Sequence, residues 1–490
     1  MQKLKFVIIL IYISCLSVIS ARSQVELTME DVIKIAREKN LSARKAYVEA
    51  KNAYWNYQIH KSNLRPQLRL NAELANFNMG PTPVSQEDGS IKIKTINQNS
   101  SNASVSLLQP LPFIGAEVFL NSYLYRFDNF SDKTHSYSSQ PLEIGIQLPV
   151  LQFNQLRWDK RIKPMLYQES EKSYDRDLEL SAYMAVHLFF QNLSDRHEWS
   201  LANLNMEINS ELFRISEEKY KMGKISKDEL LQVKLMMINA KKSLKAAKVK
   251  MENSALQLLT HLSLTEVTEF VPLTPFAISD FEITSEQAIV YALKNNPESI
   301  SFKRRLLQAN QEVARTKGET GISGNVFATM GYGSNFDELN QWKQELNEHA
   351  SLRVGLSIPI LDWGRTHAAR RKAEMKQELE ETTVLQEQIN FEKEIITLVN
   401  IVQMLKENIE VETEAKRISA DRYEIARKRY LAGDLSILEL NVAQNEKDVA
   451  SRSLLSITGN FWVNYHRLRM LTLYDFINKT SLVSKPENKK

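Results

Sequence analysis

The sequence predicts a mainly α-helical fold with a β portion: long antiparallel helical hairpins joined to strands, built as an internal two-fold repeat. Three observations predict it. First, the stretch "EKYKMGKISKDELLQVK" at 218–234 returns as "KRYLAGDLSILELNVAQ" at 428–444, with Tyr220, Gly223, Ser226, Glu229 and Leu230 reappearing 210 residues on as Tyr430, Gly433, Ser436, Glu439 and Leu440. Second, apolar residues recur at helical spacing over very long stretches, and 14 glycines and 13 prolines in 490 residues leave few places to interrupt a helix. Third, several short stretches alternate apolar and polar residues, the pattern of a sheet with one apolar face.

The chain opens on "MQKLKF", with Lys3 and Lys5, followed by the apolar run from Val7 to Ala21. Ala21 and Ser23 supply small residues at the −3 and −1 positions, so residues 1–23 read as a secretory signal cleaved before Gln24. The only cysteine, Cys15, lies inside it. A lipoprotein reading would acylate Cys15, but Tyr12 stands where such signals carry Leu and the apolar run continues past the cysteine. The unlipidated start is favoured, and the mature chain then has no disulfide.

The remainder divides into a first repeat, 24–275, and a second, 276–490. "LTMEDVIKIAREKN" (27–40) resembles "ITSEQAIVYALKNN" (283–296), and "IQLPVLQFN" (146–154) resembles "LSIPILDWG" (356–364). Each repeat begins with a helix. Thr28 with Asp31, and Thr284 with Gln287, are spaced as capping boxes at their starts. Strand patterns follow. "PQLRLNAEL" alternates Leu68, Leu70, Ala72 and Leu74 with polar residues, and "NVFATMGYG" does the same with Val326, Ala328, Met330 and Tyr332. "EIGIQLPVL" and "LRVGLSIPIL" are the second strands.

Long helices come next, from about Asn154 to Met222 in the first repeat. Leu201, Leu204, Ile208, Leu212 and Ile215 carry the spacing there, as Ile395, Leu398, Val402, Leu405 and Ile409 do in the second. A helix of such length spans roughly 100 Å at about 1.5 Å per residue, which calls for coiled-coil packing. Return helices run to about Leu262 and Leu471. Gly223 and Gly433 end the outgoing helices in the left-handed conformation, and Ser226-x-x-Glu229 and Ser436-x-x-Glu439 start the returning ones as capping boxes. The repeated turn is therefore the tip of a helical hairpin, made twice.

The offset between repeats changes from 256 to 210, which places an insertion between the two strands of the first. The region about 79–138 reads as a long polar loop, 79–102, and an extra β-hairpin at about 103–130. Whether that hairpin joins the main sheet is left open. The segment joining the repeats, "EFVPLTPFAISDFE", has Pro272 and Pro275 and reads as a linker.

Several function classes find no support. The formal charge of +4 falls to about +1 once Lys3, Lys5 and Arg22 leave with the signal, no balance for a nucleic-acid binder. The eight histidines form no HExxH or paired metal spacing, and there is no Walker, GxGxxG or GxSxG motif. No catalytic residue, metal or cofactor is assigned. No apolar run of about 18 residues follows the signal.

The layout resembles the outer-membrane efflux protein family, the TolC-like channels. The residues that carry the likeness are "LTMEDVIKIAREKN" with "NLRPQL", the strand-to-helix "LPVLQFN" and "IPILDWG", and the tips "YKMGKIS" and "YLAGDLS". The resemblance implies a homotrimer in outer-membrane lipid, with four strands per chain in one shared twelve-stranded barrel and a helical tube in the periplasm. It implies the exit duct of a tripartite efflux or type I secretion system. A periplasmic membrane-fusion adaptor would dock on Tyr220–Ser226 and Tyr430–Ser436, and an inner-membrane pump would supply cargo. Glu229 and Glu439 match the acidic residues that narrow the family's periplasmic aperture. Gln232 and Val442 stand where a second acid can occur, and Leu435 where some members carry a latching arginine.

Blander readings compete. Glu229 and Glu439 could serve as helix caps alone, and Tyr220 and Tyr430 as packing. A periplasmic structural coiled-coil protein without channel activity is the rival class, and the alternating strands argue against it.

Overall fold

The computed structural model describes residues 25–86, 88–264, 270–273, 281–341 and 346–484. The signal, Cys15 and Pro275 lie outside them. In chain order the elements are β1 (Val25–Leu27), α1 (Met29–Lys39), α2 (Leu41–Asn63), β2 (Gln67–Ser85), β3 (Ile91–Leu111), β4 (Ala116–Asn129), β5 (Thr134–Val150), α3 (Gln155–Lys221), α4 (Lys227–His261), β6 (Phe270–Pro272), α5 (Ser285–Asn295), α6 (Glu298–Thr320), β7 (Ser323–Phe336), β8 (Asn347–Ser357), α7 (Arg365–Ala432), α8 (Ile437–Thr472), β9 (Tyr474–Asp475) and β10 (Thr480–Ser481). A 3-10 turn, Leu339–Gln341, lies between β7 and β8. The long helices fall where the apolar spacing puts them: α3 has 67 residues, with Pro164 inside it, and α7 has 68.

Two compact units divide the chain, and each draws on both halves of the sequence. One holds the residues up to Ala50, Glu171–Pro297 and those from Asn390 onward. Its core gathers Val32 and Ala36 of α1, Phe189 of α3, Leu258 of α4, Ala288 of α5, Ile395 of α7, and Phe461 and Tyr465 of α8, all essentially sealed from solvent. The full capping box expected at Thr28 and Asp31 is present. Thr284 accepts only the backbone N–H of Gln287. The joining segment is more than a linker, because Phe270–Pro272 pairs in parallel with Val25–Leu27 as β6. The buried Phe270 side chain anchors that short pair in the core.

Buried charge is concentrated beside the end of α8. Glu179 is paired with Arg37 and lies 3.5 Å from Arg469, which also meets Asp475 at 3.0 Å. The Tyr465 hydroxyl donates to Asp475 at 2.7 Å, and burial with that carboxylate pushes the phenol's pKa up. His466 is buried beside Arg469 and Arg37, and burial above all pushes its imidazole well below the ordinary value.

The second unit, Lys51–Ser170 with Glu298–Ile389, carries a six-stranded antiparallel sheet in the order β2-β3-β4-β5-β7-β8. Helical segments pack within this unit as well. Arg304 binds Glu169 through two hydrogen bonds, Arg305 reaches Glu380 and Glu387, and Tyr57 stacks on Tyr167 at 5.0 Å.

The sheet corrects one expectation for the insertion and answers the question left open there. The polar stretch 79–102 is not a loop. β2 continues to Ser85 and β3 starts at Ile91, and past a register shift between Glu73 and Asn76 they pair residue for residue from Asn76 with Ser100 to Ser85 with Ile91. Between the strands the Ser90 carbonyl accepts the Gln86 N–H at 2.7 Å. The extra strands do join the main sheet, so the chain gives it six strands where the family resemblance implies four. The second strand of the second repeat is also shorter than its pattern, since β8 stops at Ser357 before Ile358–Leu361.

Candidate functional site

Both tips form as the repeated turn requires. At the first, the Gly223 N–H donates to the Tyr220 carbonyl at 2.9 Å and the Lys224 N–H to the Lys219 carbonyl at 2.9 Å. At the second, Gly433 donates to Tyr430 at 3.1 Å and Asp434 to Arg429 at 3.0 Å. These are paired 6→1 and 5→2 Schellman bonds, and they need a left-handed residue at the glycine position. Gly223 has φ +69° and Gly433 φ +89°. A β-branched residue pays heavily for that conformation.

The returning helices start on Ser226 and Ser436, whose hydroxyls accept the backbone N–H of Glu229 at 3.1 Å and of Glu439 at 3.3 Å. The two starts then differ. The Glu439 carboxylate reaches back to the Ser436 N–H at 3.0 Å and its hydroxyl at 2.8 Å, completing the box. Those bonds from the Ser436 side chain and backbone hold the Glu439 carboxyl below its ordinary pKa. At Ser226 only the first half of the box forms, which corrects the expectation of two equal capping boxes. The Glu229 carboxylate, at a half-buried position in the first turn of α4, is not spent on capping its own helix.

The tyrosines are unequal as well. Tyr430 is 5% exposed and belongs to a core shared by both hairpins, with Leu212, Val233, Tyr423, Ile437 and Leu440. The ammonium of Lys219, from the first hairpin, lies 5.1 Å from the Tyr430 ring centre. Tyr220 is 40% exposed. Leu435 packs against this shared core. The structure thus brings together the two tips that the sequence separates by 210 residues.

A polar connection that sequence reasoning missed holds the hairpins a few turns further along. Asn205 of α3 donates to Asp448 of α8 at 2.6 Å and accepts from Gln444 at 2.7 Å. Gln444 and Asp448 are both buried. Their spacing of four on one helix face, at positions otherwise given to apolar residues, was the available signal. Among the described residues no group of three or more His, Cys, Asp or Glu could hold a metal ion, and no helix is long and apolar enough to cross a membrane.

Residues 325–472 match the family model described as outer membrane efflux protein, so the resemblance drawn from the sequence holds there. No curated protein sequence matches the chain significantly. Among solved structures, the chain is similar to the Campylobacter jejuni CmeC outer membrane channel, at 15% identity over 94% of this chain and 88% of that one, with a TM-score of 0.66. A membrane protein from Pseudomonas aeruginosa shares 13% identity over 94% of each chain, with a TM-score of 0.66. The open state of the Neisseria gonorrhoeae MtrE outer membrane channel shares 16% identity over 91% of this chain and 88% of that one, with a TM-score of 0.60. At these identities the likeness is one of fold. The family match over 325–472 supports a place in the outer membrane.

Proposed function

We propose that three copies of this chain form the passive exit duct of a tripartite efflux or type I secretion system. The observation that carries this reading is the pair of tips on one shared core. Two turns of the same backbone form held side by side, repeated by three chains, present a ring of six tips to a periplasmic membrane-fusion adaptor. Tyr220, Gly223, Ser226, Gly433 and Ser436 form those sites, with the buried Tyr430 packed beneath the second tip, and an inner-membrane pump supplies the cargo. Glu229 and Glu439 line the periplasmic aperture. The paired helix lengths, 67 with 68 and 35 with 36, support the division into repeats 24–275 and 276–490.

The sheet supports a membrane wall over a purely structural periplasmic coiled coil. Leu70, Leu352 and Val354 are exposed on it, and a soluble rod has no use for such a face. The test is fractionation. Heat-modifiable trimers in outer-membrane fractions are expected, and recovery as a soluble periplasmic protein would favour the coiled-coil reading.

A further inference from the structure

We propose that each chain gives all six strands to the membrane wall, so that three copies close an eighteen-stranded barrel, with β8 of one copy paired to β2 of the next. This rests on the trimeric channel reading above and adds to it the inserted hairpin β3–β4 and the partner of each free edge.

One row of directly paired residues crosses the whole sheet. Leu68 faces Leu107, then Leu120, Ile144, Met330 and Ala350. Every member is apolar, including Leu107 and Leu120 on the insert. The next row, on the opposite face, runs Arg69, Ser106, Asn121, Glu143, Gly331 and His349. It is polar at every side chain, and the Asn121 amide donates to Glu143 at 3.3 Å. Apolar outside and polar inside is the requirement of a barrel wall in lipid. The insert meets it in phase with the strands on both sides. A hairpin lying outside the membrane would have no need of that phase.

Side-chain packing also ties the insert into the wall. Phe119 of β4 lies over Gly145 of β5, where an added Cβ would come 2.2 Å from the ring. The same ring reaches across β5 to stack on Phe327 of β7 at 5.8 Å. A wall without β3 and β4 would lose this contact and the ladders that join the insert to β2 and β5.

The edges indicate their occupant. Leu107 and Leu120, inside the sheet, are 37% exposed, whereas Leu70 on β2 and Leu352 on β8 are 72% and 73% exposed. In lipid those edges cannot keep unpaired backbone groups. β2 runs away from the end of the sheet where α2 enters, and β8 runs back toward that end, so β8 of one copy meets β2 of the next antiparallel. Three six-stranded sheets thus close with every neighbour antiparallel and an even strand number. At equal tilt the wall is about 1.5 times as wide as a twelve-stranded one, in the range that leaves an aqueous channel.

Single cysteines in the full-length chain, in outer-membrane vesicles, test this with a charged maleimide. Ser106→Cys and Asn121→Cys should react from the water-filled lumen, as Arg353→Cys on β8 should. Leu107→Cys and Leu120→Cys should be protected, like Leu352→Cys. Reaction at 107 and 120 with 352 still protected would put the insert outside the wall and overturn the eighteen-stranded barrel while leaving the channel reading in place. Reaction at 352 as well would remove both. Electron cryomicroscopy of the unmodified protein in lipid nanodiscs gives the count independently of any variant: eighteen strands are expected, and twelve would refute the proposal.

Discussion

The ring of Phe119 covers Gly145 on the neighbouring strand so closely that position 145 has no room for a Cβ. Glycine leaves a hole in a sheet, and an aromatic from the adjacent strand fills it. The pair therefore depends on both members, one for its absence of side chain and one for its ring.

Gly145→Ala should displace the ring and lower the stability of the sheet by about 1–3 kcal/mol, the usual cost of overpacking. Phe119→Leu should also destabilise, through the lost stacking on Phe327. The double variant should lose less than the sum of the two, because the leucine makes room for the methyl. The melting temperature of the protein in detergent reads all three. Additive losses would mean that ring and glycine do not share a site.

Sequence reasoning reached the ends of the long hairpin helices almost to the residue but made no reading of α2 and α6, and its largest miss among the strands was β2–β3. The reason is visible in that hairpin. Residues 78–102 carry Gly80, Pro81 and Pro83 amid Asn, Gln and Ser, a composition that signals a loop when read alone. Proline is tolerated on an edge strand, and β2 is an edge. Strand formation at 78–85 is imposed by cross-strand pairing, and the alternation of Ile91 and Ile93 with Lys92 and Lys94 was a strand signal that the loop-like composition around it hid. The tips were legible because glycine and the serine cap act locally. The difference between Glu229 and Glu439 was not, since both stand in the same Ser-x-x-Glu pattern.

The tips themselves invite a double substitution. Gly223→Val with Gly433→Val opposes the left-handed conformation that both Schellman turns need. Export of a reporter cargo should be abolished, while the amount of trimer in outer-membrane fractions stays close to wild type. Normal export by this variant would reject the tips as the docking site.

His466 gives the helical unit a pH dependence of known sign. In the unfolded chain it titrates near its ordinary value of 6.5, and in the fold, burial and two arginines hold it neutral to well below that. Below about pH 6.5 the unfolded state takes up a proton that the folded state refuses. The contribution is therefore complete above that value and is lost progressively as pH falls toward the folded pKa. Melting temperature should drop between about pH 7.5 and about pH 5.5. His466→Leu should flatten that part of the slope, and an unchanged slope would assign it to other groups.

The unequal caps separate two roles that the sequence left merged. The Glu439 carboxylate is engaged by Ser436, whereas Glu229 leaves its own capping box half made. If both line the aperture of a trimer, each contributes three negative charges, and rings of carboxylates favour cations. Glutamine can serve at the third position of a capping box, so Glu439→Gln should keep most of the cap. Glu229→Gln alters no cap at all. Glu229→Gln alone should therefore weaken cation preference in planar bilayers with no change in thermal stability, and adding Glu439→Gln should weaken it further at a small cost in stability. The difference from wild type should shrink at high salt, where the field is screened. A reversal potential unchanged at low salt in the double variant would leave Glu439 as a helix cap and Glu229 without a part in selectivity.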